Sequence, residues 1–307
     1  MSVAALETKS CCARAYSSEA ARYLLGESFH PGGAALTAEL ARALCVGPGD
    51  VVVDIASGPG TSALQLAGST GCAVVGIDVS GPGAAAAAAR AREARQPAPH
   101  VRFACGDAEA LPLADASVDG ALCECAFCLF PDKPAAAREI ARVLRPGARL
   151  ALSDVTAERA RLSPELRTLD AHVTCLGEAL PLDDTAGILA AAGLVIESVQ
   201  RRDDALAPML ERIEARLRLA RLIGDGPLAG VLNRADRLLE AAQAALRDGS
   251  IGYGVVVARR TKRRLAAEAT AMAVPRPTAE PAAVDGGYSA PAAITRQARI
   301  RASCVSR

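Results

Sequence analysis

The most distinctive chemistry in this 307-residue chain comes from a group of cysteines. Cys123, Cys125 and Cys128 lie within six residues of one another, and Cys175 follows later. On an extended segment Cys123 and Cys125 would point to the same face. Thiolates are soft ligands that select thiophilic ions. A closed zinc site is not predicted, because no paired Cys-x-x-Cys motifs are present and Cys175 has only His172 near it.

A glycine-rich turn supplies a second candidate site. Asp54 is followed by Gly58 and Gly60, after the apolar run 51–55 and before a helical stretch. Glycines at these positions let a ligand approach the backbone closely, and open α/β sheets bind ligands at the carboxyl ends of their strands. The spacing also fits a dinucleotide-binding turn that holds a pyrophosphate. A carboxylate at Asp54 would repel a pyrophosphate, so it favours a cationic ligand.

Two further acids follow the next two predicted strands. Asp78 comes 24 residues after Asp54, near the spacing of roughly 20 that is expected for a carboxylate that binds ribose hydroxyls. Asp107 follows the third strand, where its side chain would accept a hydrogen bond from an adenine amino group. The three acids together indicate a ligand with a cationic group, a ribose and an adenine.

Alternating strands and helices must position these residues. The predicted strands are 51–55, 72–77, 101–104, 120–124, 149–154, 194–200 and 253–258. The predicted helices are 18–26, 34–45, 61–67, 83–95, 134–143, 185–192, 208–223 and 234–247. This alternation predicts an α/β fold with a Rossmann-like, doubly wound, mostly parallel seven-stranded sheet and helices on both faces. The last strand is a candidate for antiparallel pairing.

The same pattern divides the chain into four parts. We expect an N-terminal helical lid or substrate segment over 1–46 and a core that carries the glycine-rich turn over 47–200. Residues 201–261 supply C-terminal helices and the last strand. Residues 262–307 have no sustained period and are predicted to be a disordered tail.

Composition limits the partners and the location. The formal net charge of +1, from 35 basic and 34 acidic side chains, gives no reason to expect a nucleic acid or an anionic membrane as partner. The sequence has neither an apolar run of about 18 residues nor a basic region followed by an apolar one at its start. We therefore expect a cytoplasmic protein, whose ten cysteines are thiols, ligands or catalytic groups rather than disulfides.

The cofactor half, residues 51–155, resembles the class I S-adenosylmethionine-dependent methyltransferases. The matching segments are VVVDIASGPGT, VVGIDVS, CGDAEALPLADASVDG and RVLRPGARLALSDV. The resemblance implies S-adenosylmethionine as cofactor, with its methionine moiety in the glycine-rich loop, its ribose on Asp78 and its adenine beside Asp107. The cofactor-binding residues that it implies are Tyr16, Asp54, Ala56, Gly58, Gly60, Thr61, Asp78, Val79, Asp107, Ala108 and Glu124.

The acceptor side resembles the arsenite methyltransferases. The matching segments are CAFCLFPDK (125–133), SDV (153–155) and CLGEAL (175–180). The resemblance implies that Cys125 and Cys175 are catalytic and bind trivalent arsenic as thiolates, so that the arsenic lone pair attacks the methyl group. The family often has a further cysteine close to the first strand, and none stands clearly there. Cys12, in the pair Cys11-Cys12, is the expected third arsenic ligand, with glutathione as the alternative.

Other functions fit parts of the sequence. A small-molecule C- or O-methyltransferase acting on a quinone, sterol or natural product shares every cofactor motif, but it needs a general base. His30 is a candidate base, although a structural role is favoured. A metalloid sensor without catalysis would not need the glycine-rich loop, and an NAD-dependent oxidoreductase is disfavoured by Asp54. For arsenite methylation, the expected partners are the metalloid and a cellular thiol such as glutathione or thioredoxin.

Overall fold

The computed structural model describes residues 9, 15–16, 18–26, 28–93, 100–167, 175–176, 178–223 and 229–261. The predicted tail 262–307, Cys12 and His172 lie outside the described residues. Among the helices of the described ranges, none is both long enough and apolar enough to cross a membrane.

Seven strands form a single sheet. They are β1 (Val51–Ile55), β2 (Ala73–Asp78), β3 (Val101–Cys105), β4 (Val118–Glu124), β5 (Leu144–Ala157), β6 (Leu194–Arg201) and β7 (Ile251–Arg260). Their order across the sheet is β3-β2-β1-β4-β5-β7-β6. The first five strands pair in parallel, and β7 runs antiparallel to both of its neighbours. The predicted fold class is therefore confirmed, including the antiparallel last strand.

Helices cover the sheet. In the described part of the chain they are α1 (Glu19–Leu25), α2 (Gly33–Leu44), α3 (Thr61–Thr70), α4 (Gly81–Glu93), α5 (Lys133–Val143), α6 (Leu182–Ala191), α7 (Asp203–Ile223) and α8 (Ala229–Arg247). Each overlaps a predicted helix. The division of the chain into four parts stays a prediction.

Alternation along the strands builds a core on each face of the sheet. Val52 packs with Leu40 of α2 and Leu66 of α3 in one apolar cluster. Its neighbour Val53 packs with Ile140 of α5 in the other. Successive strand residues point to opposite faces, so a strand that is buried on both sides must be apolar throughout. The run Val51–Ile55 satisfies this requirement except at its one acid, Asp54.

The chain changes direction across the sheet between β1 and β4. It proceeds outward from β1 to β3 and then returns to place β4 on the other side of β1. Loops that leave neighbouring strands in opposite directions open a crevice at the carboxyl ends of those strands. Gly60 caps α3 at this crevice with φ +80°, a backbone conformation that side chains of L-residues rarely adopt. The fold thus places the glycine-rich turn, Asp78, Asp107 and the residues after β4 around one opening.

Candidate active site

A cavity of about 460 Å³ occupies this crevice. Its wall comes from the loops after β1, β2, β3 and β4 and from N-terminal residues. Eleven of the residues expected at the site line it: Tyr16, Asp54, Ala56, Gly58, Thr61, Asp78, Val79, Asp107, Ala108, Glu124 and Cys125. Gly60 is not among the lining residues, and instead begins α3 behind the wall.

Asp54 brings a carboxyl group into the floor of the cavity. Its side chain is buried, and its Oδ2 atom has no hydrogen-bond partner among the described residues. Burial, together with the nearby carboxyl groups of Glu124 and Asp78, raises the pKa of Asp54 well above its usual range. Such a group is stabilised by a cationic ligand, because a positive charge favours the ionised carboxylate.

Asp78 ties the glycine-rich turn to the end of β2. Its Oδ2 accepts a hydrogen bond from the Gly58 N–H at 2.8 Å, and its Oδ1 accepts one from the Ser80 N–H at 2.8 Å. Burial raises the pKa of Asp78, and these two hydrogen bonds oppose the rise. Gly58 itself has φ +49° and open space where a Cβ would stand, so a ligand can contact its backbone directly.

Asp107 is paired with an N-terminal lysine. Lys9 Nζ lies 2.7 Å from Asp107 Oδ2 and 2.7 Å from Glu109 Oε2. The Lys9 side chain is 9% exposed, so this ion pair closes one end of the cavity. Sequence reasoning did not identify Lys9, because a lone lysine near the N-terminus has no distinguishing pattern.

His30 and Glu124 form a buried polar pair on the cavity wall. His30 Nδ1 lies 3.6 Å from Glu124 Oε1 and 3.1 Å from the Pro31 carbonyl oxygen. Glu124 accepts hydrogen bonds from the Thr37 hydroxyl at 3.1 and 3.2 Å. The favoured structural role of His30 explains its burial, but its position on the wall also makes it available to a ligand.

The predicted cysteines Cys125 and Cys175 are in contact beside the cavity. Cys175 Sγ lies 3.8 Å from the Cys125 carbonyl oxygen and 2.9 Å from the Tyr16 hydroxyl. Cys125 lines the cavity, whereas Cys175 lies behind Tyr16 and is 3% exposed. Both cysteines have left-handed backbones, with φ of +52° and +71°. Non-glycine residues in this conformation are uncommon and cluster at functional sites.

A third thiol, that of Cys128, joins this pair. The neighbouring side chains of Cys125, Cys128 and Tyr16 lower the pKa of Cys175 well below its usual range, because they favour its ionised sulfur. The pKa of Cys125 is raised, because it donates to Cys175 and is buried, and burial raises the pKa of Cys128. The opposite directions of these shifts make Cys175 the thiol of the cluster that ionises most readily.

The turn after β4 explains why the sequence did not reveal Cys128 as part of the cluster. The chain does not stay extended: β4 ends at Glu124, Cys125 turns the backbone, and a 3₁₀ helix spans Phe127–Leu129. The expectation that Cys123 and Cys125 share a face is wrong, because they pack in the clusters of opposite faces. The Cys-x-x-Cys spacing of Cys125 and Cys128 was the feature of the sequence that could have identified Cys128 as a neighbour of the other two cysteines.

The expected third ligand, Cys12, lies outside the described residues. Within the described ranges, no three His, Cys, Asp or Glu side chains form a ready-made metal site.

The cavity fits S-adenosylmethionine on three structural observations. The unpartnered Asp54 oxygen offers an acceptor to a cation. The Gly58 backbone offers an open cradle. The carboxyl ends of β2 and β3 present Asp78 and Asp107, which suit a ribose and an adenine respectively.

Comparisons with known proteins agree with this fit. Residues 53–152 match the family model described as a methyltransferase domain. The chain is 30% identical over 227 residues to the O-methyltransferase cnsE of Penicillium expansum, covering 73% of this chain and 77% of that one. It is 32% identical over 160 residues to an arsenite methyltransferase of Halobacterium salinarum, covering 51% of this chain but only 40% of that one.

Solved structures share the fold at lower sequence identity. The geranyl diphosphate C-methyltransferase of Streptomyces coelicolor A3(2), in complex with S-adenosyl-L-homocysteine, superposes with a TM-score of 0.65 at 20% identity. The superposition covers 83% of this chain and 98% of that one. The fold, the match to the family model and the relative that is aligned over most of its length lead to the same assignment: the chain belongs to the class I methyltransferases, which use S-adenosylmethionine as their cofactor.

Proposed function

We propose that this methyltransferase methylates trivalent arsenic, held as a thiolate complex by Cys125 and Cys175. The observation that carries the proposal is the contact between these two cysteines beside the cofactor cavity, with 3.8 Å between the Cys175 sulfur and the Cys125 carbonyl oxygen. They come from loops 50 residues apart, and both have a backbone conformation that costs of order 1–3 kcal/mol for a residue other than glycine. Two cysteines with left-handed backbones, in contact beside one cavity, favour a function for sulfur over simple packing.

The electrostatics of the cluster suit capture of a soft electrophile. The lowered pKa of Cys175 favours ionisation of its sulfur, and the thiolate is the form that attacks and binds. Cys125 supplies a second sulfur on the cavity side. Trivalent arsenic is a thiophilic centre, so the softness of these ligands matches it.

The remaining site residues are proposed to hold the cofactor next to this centre. Asp54, with Glu124 close by, would bind the cationic methionine end, Asp78 the ribose and Asp107 the adenine, while Tyr16 would cap the cofactor. When bound, S-adenosylmethionine supplies an electrophilic methyl group, which the arsenic lone pair accepts while the electron pair of the broken S–CH3 bond stays on sulfur. The buried residues of the wall, Asp54 and His30 among them, would limit water around the reacting atoms and so favour a displacement in line.

The proposal includes a reducing partner. Accepting a methyl cation through its lone pair takes arsenic formally from the trivalent to the pentavalent state. A cellular dithiol or glutathione would return it to the trivalent state, which gives the two electrons needed and forms a disulfide. The near-neutral net charge of the chain supports a small-molecule partner rather than a nucleic acid or an anionic membrane.

A second candidate function is O-methylation of a small hydroxylated molecule. Its supporting observation is the buried His30–Glu124 pair on the cavity wall, with 3.6 Å between His30 Nδ1 and Glu124 Oε1. A hydroxyl acceptor must lose its proton to a base, whereas a lone pair on arsenic needs none. The relative from Penicillium expansum carries an O-methyltransferase name.

Incubation with labelled methyl donor, arsenite and excess thiol tests the proposal. We expect wild type to form methylated arsenic, and Cys125→Ser and Cys175→Ser to lose at least 100-fold of this rate while they still bind the cofactor. Cys45→Ser is the matched control, since Cys45 is exposed and remote from the cavity. Full arsenic methylation by both serine variants would remove the proposal. Turnover of hydroxylated acceptors alone, abolished by His30→Ala, would support the second candidate.

A further inference from the structure

The turn after β4 has backbone groups at both of its ends that its own 3₁₀ helix, Phe127–Leu129, does not pair. The hydrogen bonds inside the turn begin with the Leu129 N–H, which donates to the Ala126 carbonyl oxygen at 2.9 Å, and the Cys128 N–H comes before them. The first N–H groups and the last C=O groups of a helix are left over in this way. Phe127 is 1% exposed and Cys128 3%, so the partners of these groups must come from the protein.

Two buried side chains of opposite charge supply the partners. Asp154 of β5 accepts the Cys128 N–H at its Oδ2 atom, at 2.6 Å. Lys133, at the start of α5, donates from its Nζ atom to the Phe130 carbonyl oxygen at 3.1 Å. Both charged residues are buried. The turn is therefore held at an N–H group by an acid and at a C=O group by a lysine.

The hydrogen bonds of Asp154 fix the orientation of its carboxyl group. Its Oδ1 atom accepts the Val155 N–H at 2.8 Å, so each oxygen accepts one backbone N–H. Burial raises the pKa of Asp154 to about 7 and lowers the pKa of Lys133. Burying such groups is costly unless they are hydrogen-bonded, and the backbone of the turn supplies part of that bonding.

The turn that these side chains hold carries Cys125 towards Cys175. The Cys125 N–H donates to the Ser153 carbonyl oxygen at 2.7 Å, one residue before Asp154. The Cys125 carbonyl oxygen lies 3.8 Å from Cys175 Sγ. Cys125 lines the cavity, whereas the two charged residues do not. Consecutive residues of β5 thus fix the turn at two points from behind the wall, and the turn sets how the two cysteines face each other.

We propose that Asp154 and Lys133 are positioning residues, which hold the turn after β4 so that Cys125 works together with Cys175. This inference rests on the proposed function, because it concerns the same two cysteines. Asp154 acts through the backbone of Cys128, and Lys133 acts through the carbonyl group at the other end of the turn. Loss of either hydrogen bond lets the turn relax, so that Cys125 spends less time in the arrangement that serves the pair.

Cross-linking with dibromobimane tests this inference without arsenic. The reagent becomes fluorescent when it joins two nearby thiols, and mass spectrometry identifies the peptides that it has joined. We expect wild type to join Cys125 to Cys175, and Asp154→Asn to do so about tenfold more slowly, because an amide has one acceptor oxygen for two N–H donors. Lys133→Met should slow the reaction about threefold, because one hydrogen bond is lost while the side chain keeps its length.

Asp119→Asn is the matched control. Asp119 Oδ2 also accepts a backbone N–H from a neighbouring strand, that of Val51 at 3.0 Å, but it lies at the start of β4 and does not line the cavity. Its cross-linking rate should equal that of wild type. Thermal melting checks the fold of every variant. Lys133→Met places an apolar side chain in a buried position, so it tests the turn even where Asp154→Asn does not fold.

Methylation assays with arsenite add a second measurement. We expect Asp154→Asn and Lys133→Met to raise the KM for arsenite and to leave the dissociation constant for S-adenosylmethionine unchanged, since the cofactor is assigned to the loops after β1, β2 and β3. A general loss of structure would weaken cofactor binding as much as cross-linking, and that result would overturn the inference. Wild-type cross-linking in both folded variants would overturn it as well.

Failure of the proposed function gives a different result. A wild-type protein that joins Cys125 to Cys175, and loses this reaction in the two variants, but forms no methylated arsenic, would contradict arsenite methylation and leave the positioning role in place. A wild-type protein that methylates arsenite, with variants that match it in cross-linking and in KM, would contradict the positioning role alone.

Discussion

Asp54 is a site residue whose burial lowers the stability of the unliganded protein. A carboxyl group near the carboxyl end of a buried strand, close to two other acids, has no hydrogen-bond partner for one of its oxygens among the described residues. An unsatisfied buried polar atom destabilises a fold by about 1–3 kcal/mol. A cationic ligand at this oxygen would recover the loss on binding.

We therefore expect Asp54→Asn to move ligand binding and stability in opposite directions. Loss of the charge should raise the dissociation constant for S-adenosylmethionine by about 10- to 100-fold, since a hydrogen bond to a charged group contributes about 1.5–3 kcal/mol. The unliganded variant should unfold at a slightly higher temperature, because repulsion from Glu124 and Asp78 is removed. Calorimetric titration and thermal melting measure the two effects.

The control for this variant is Asp50→Asn. Asp50 stands just before β1, at the opposite end of the strand from Asp54, where it accepts a hydrogen bond from the Gly47 N–H. It does not line the cavity, so its neutralisation should leave the dissociation constant unchanged. An unaltered constant in Asp54→Asn as well would contradict the role given to Asp54.

Among the elements, α3 depends on the conformation of the residue that begins it. Gly60 has φ +80°, and a Cβ there would stand 2.5 Å from Phe103 Cζ. We expect Gly60→Ala to lower the free energy of unfolding by about 1–3 kcal/mol, because alanine is strained in this backbone and overpacks against the ring. Chemical denaturation measures the change.

Gly68 offers a matched control within the same helix. It is exposed, and a Cβ there would meet nothing within 4 Å. Gly68→Ala should raise the free energy of unfolding by about 0.5–1 kcal/mol, as expected for glycine in a helix interior. If both alanine variants shift stability in the same direction, the strain assigned to Gly60 is wrong.

The elements were largely predictable, because apolar periodicity determines them. All seven strands and eight helices of the described ranges overlap predicted ones. The largest difference is β5, predicted over 149–154 and observed over Leu144–Ala157. Pro146 and Gly147 suggest a turn in the sequence, but a register shift opposite Val118 and Gly120 absorbs them within the strand.

The thiol cluster could be predicted only in part. The types and spacing of Cys125 and Cys175 led to their pairing through a family resemblance. Cys128 was missed because its position depends on a left-handed backbone at Cys125, and residue type does not predict such a conformation for cysteine. Lys9 was missed because its partners, Asp107 and Glu109, lie far away in sequence.

At the scale of the whole molecule, buried acids make stability depend on pH. Burial raises the pKa of Asp154 to about 7, and raises the pKa of Asp54 and Asp78. The folded state therefore holds protons that the unfolded state releases near pH 4. Stability from these groups is complete below about pH 4, falls as the pH rises, and levels off above the folded-state pKa values.

We expect the free energy of unfolding to fall between pH 5 and pH 7.5, and to fall less in Asp154→Asn. Raised pKa values of this size correspond to a difference of about 1–3 kcal/mol across the window. The exposed Glu165, Glu197 and Asp248 have lowered pKa values, so their contribution changes only at lower pH. Urea denaturation at several pH values measures how steeply the free energy of unfolding falls with pH in wild type and in Asp154→Asn. Equal slopes for the two proteins would contradict the role assigned to Asp154.

The ion pair between Lys9 and Asp107 bears on how the chain folds. Its two residues are 98 positions apart in the chain, and closing a loop of that length carries a large entropic cost. Contacts of such long range slow the search for the native state. A ligand that contacts this end of the cavity and binds only the folded chain stabilises that chain by mass action.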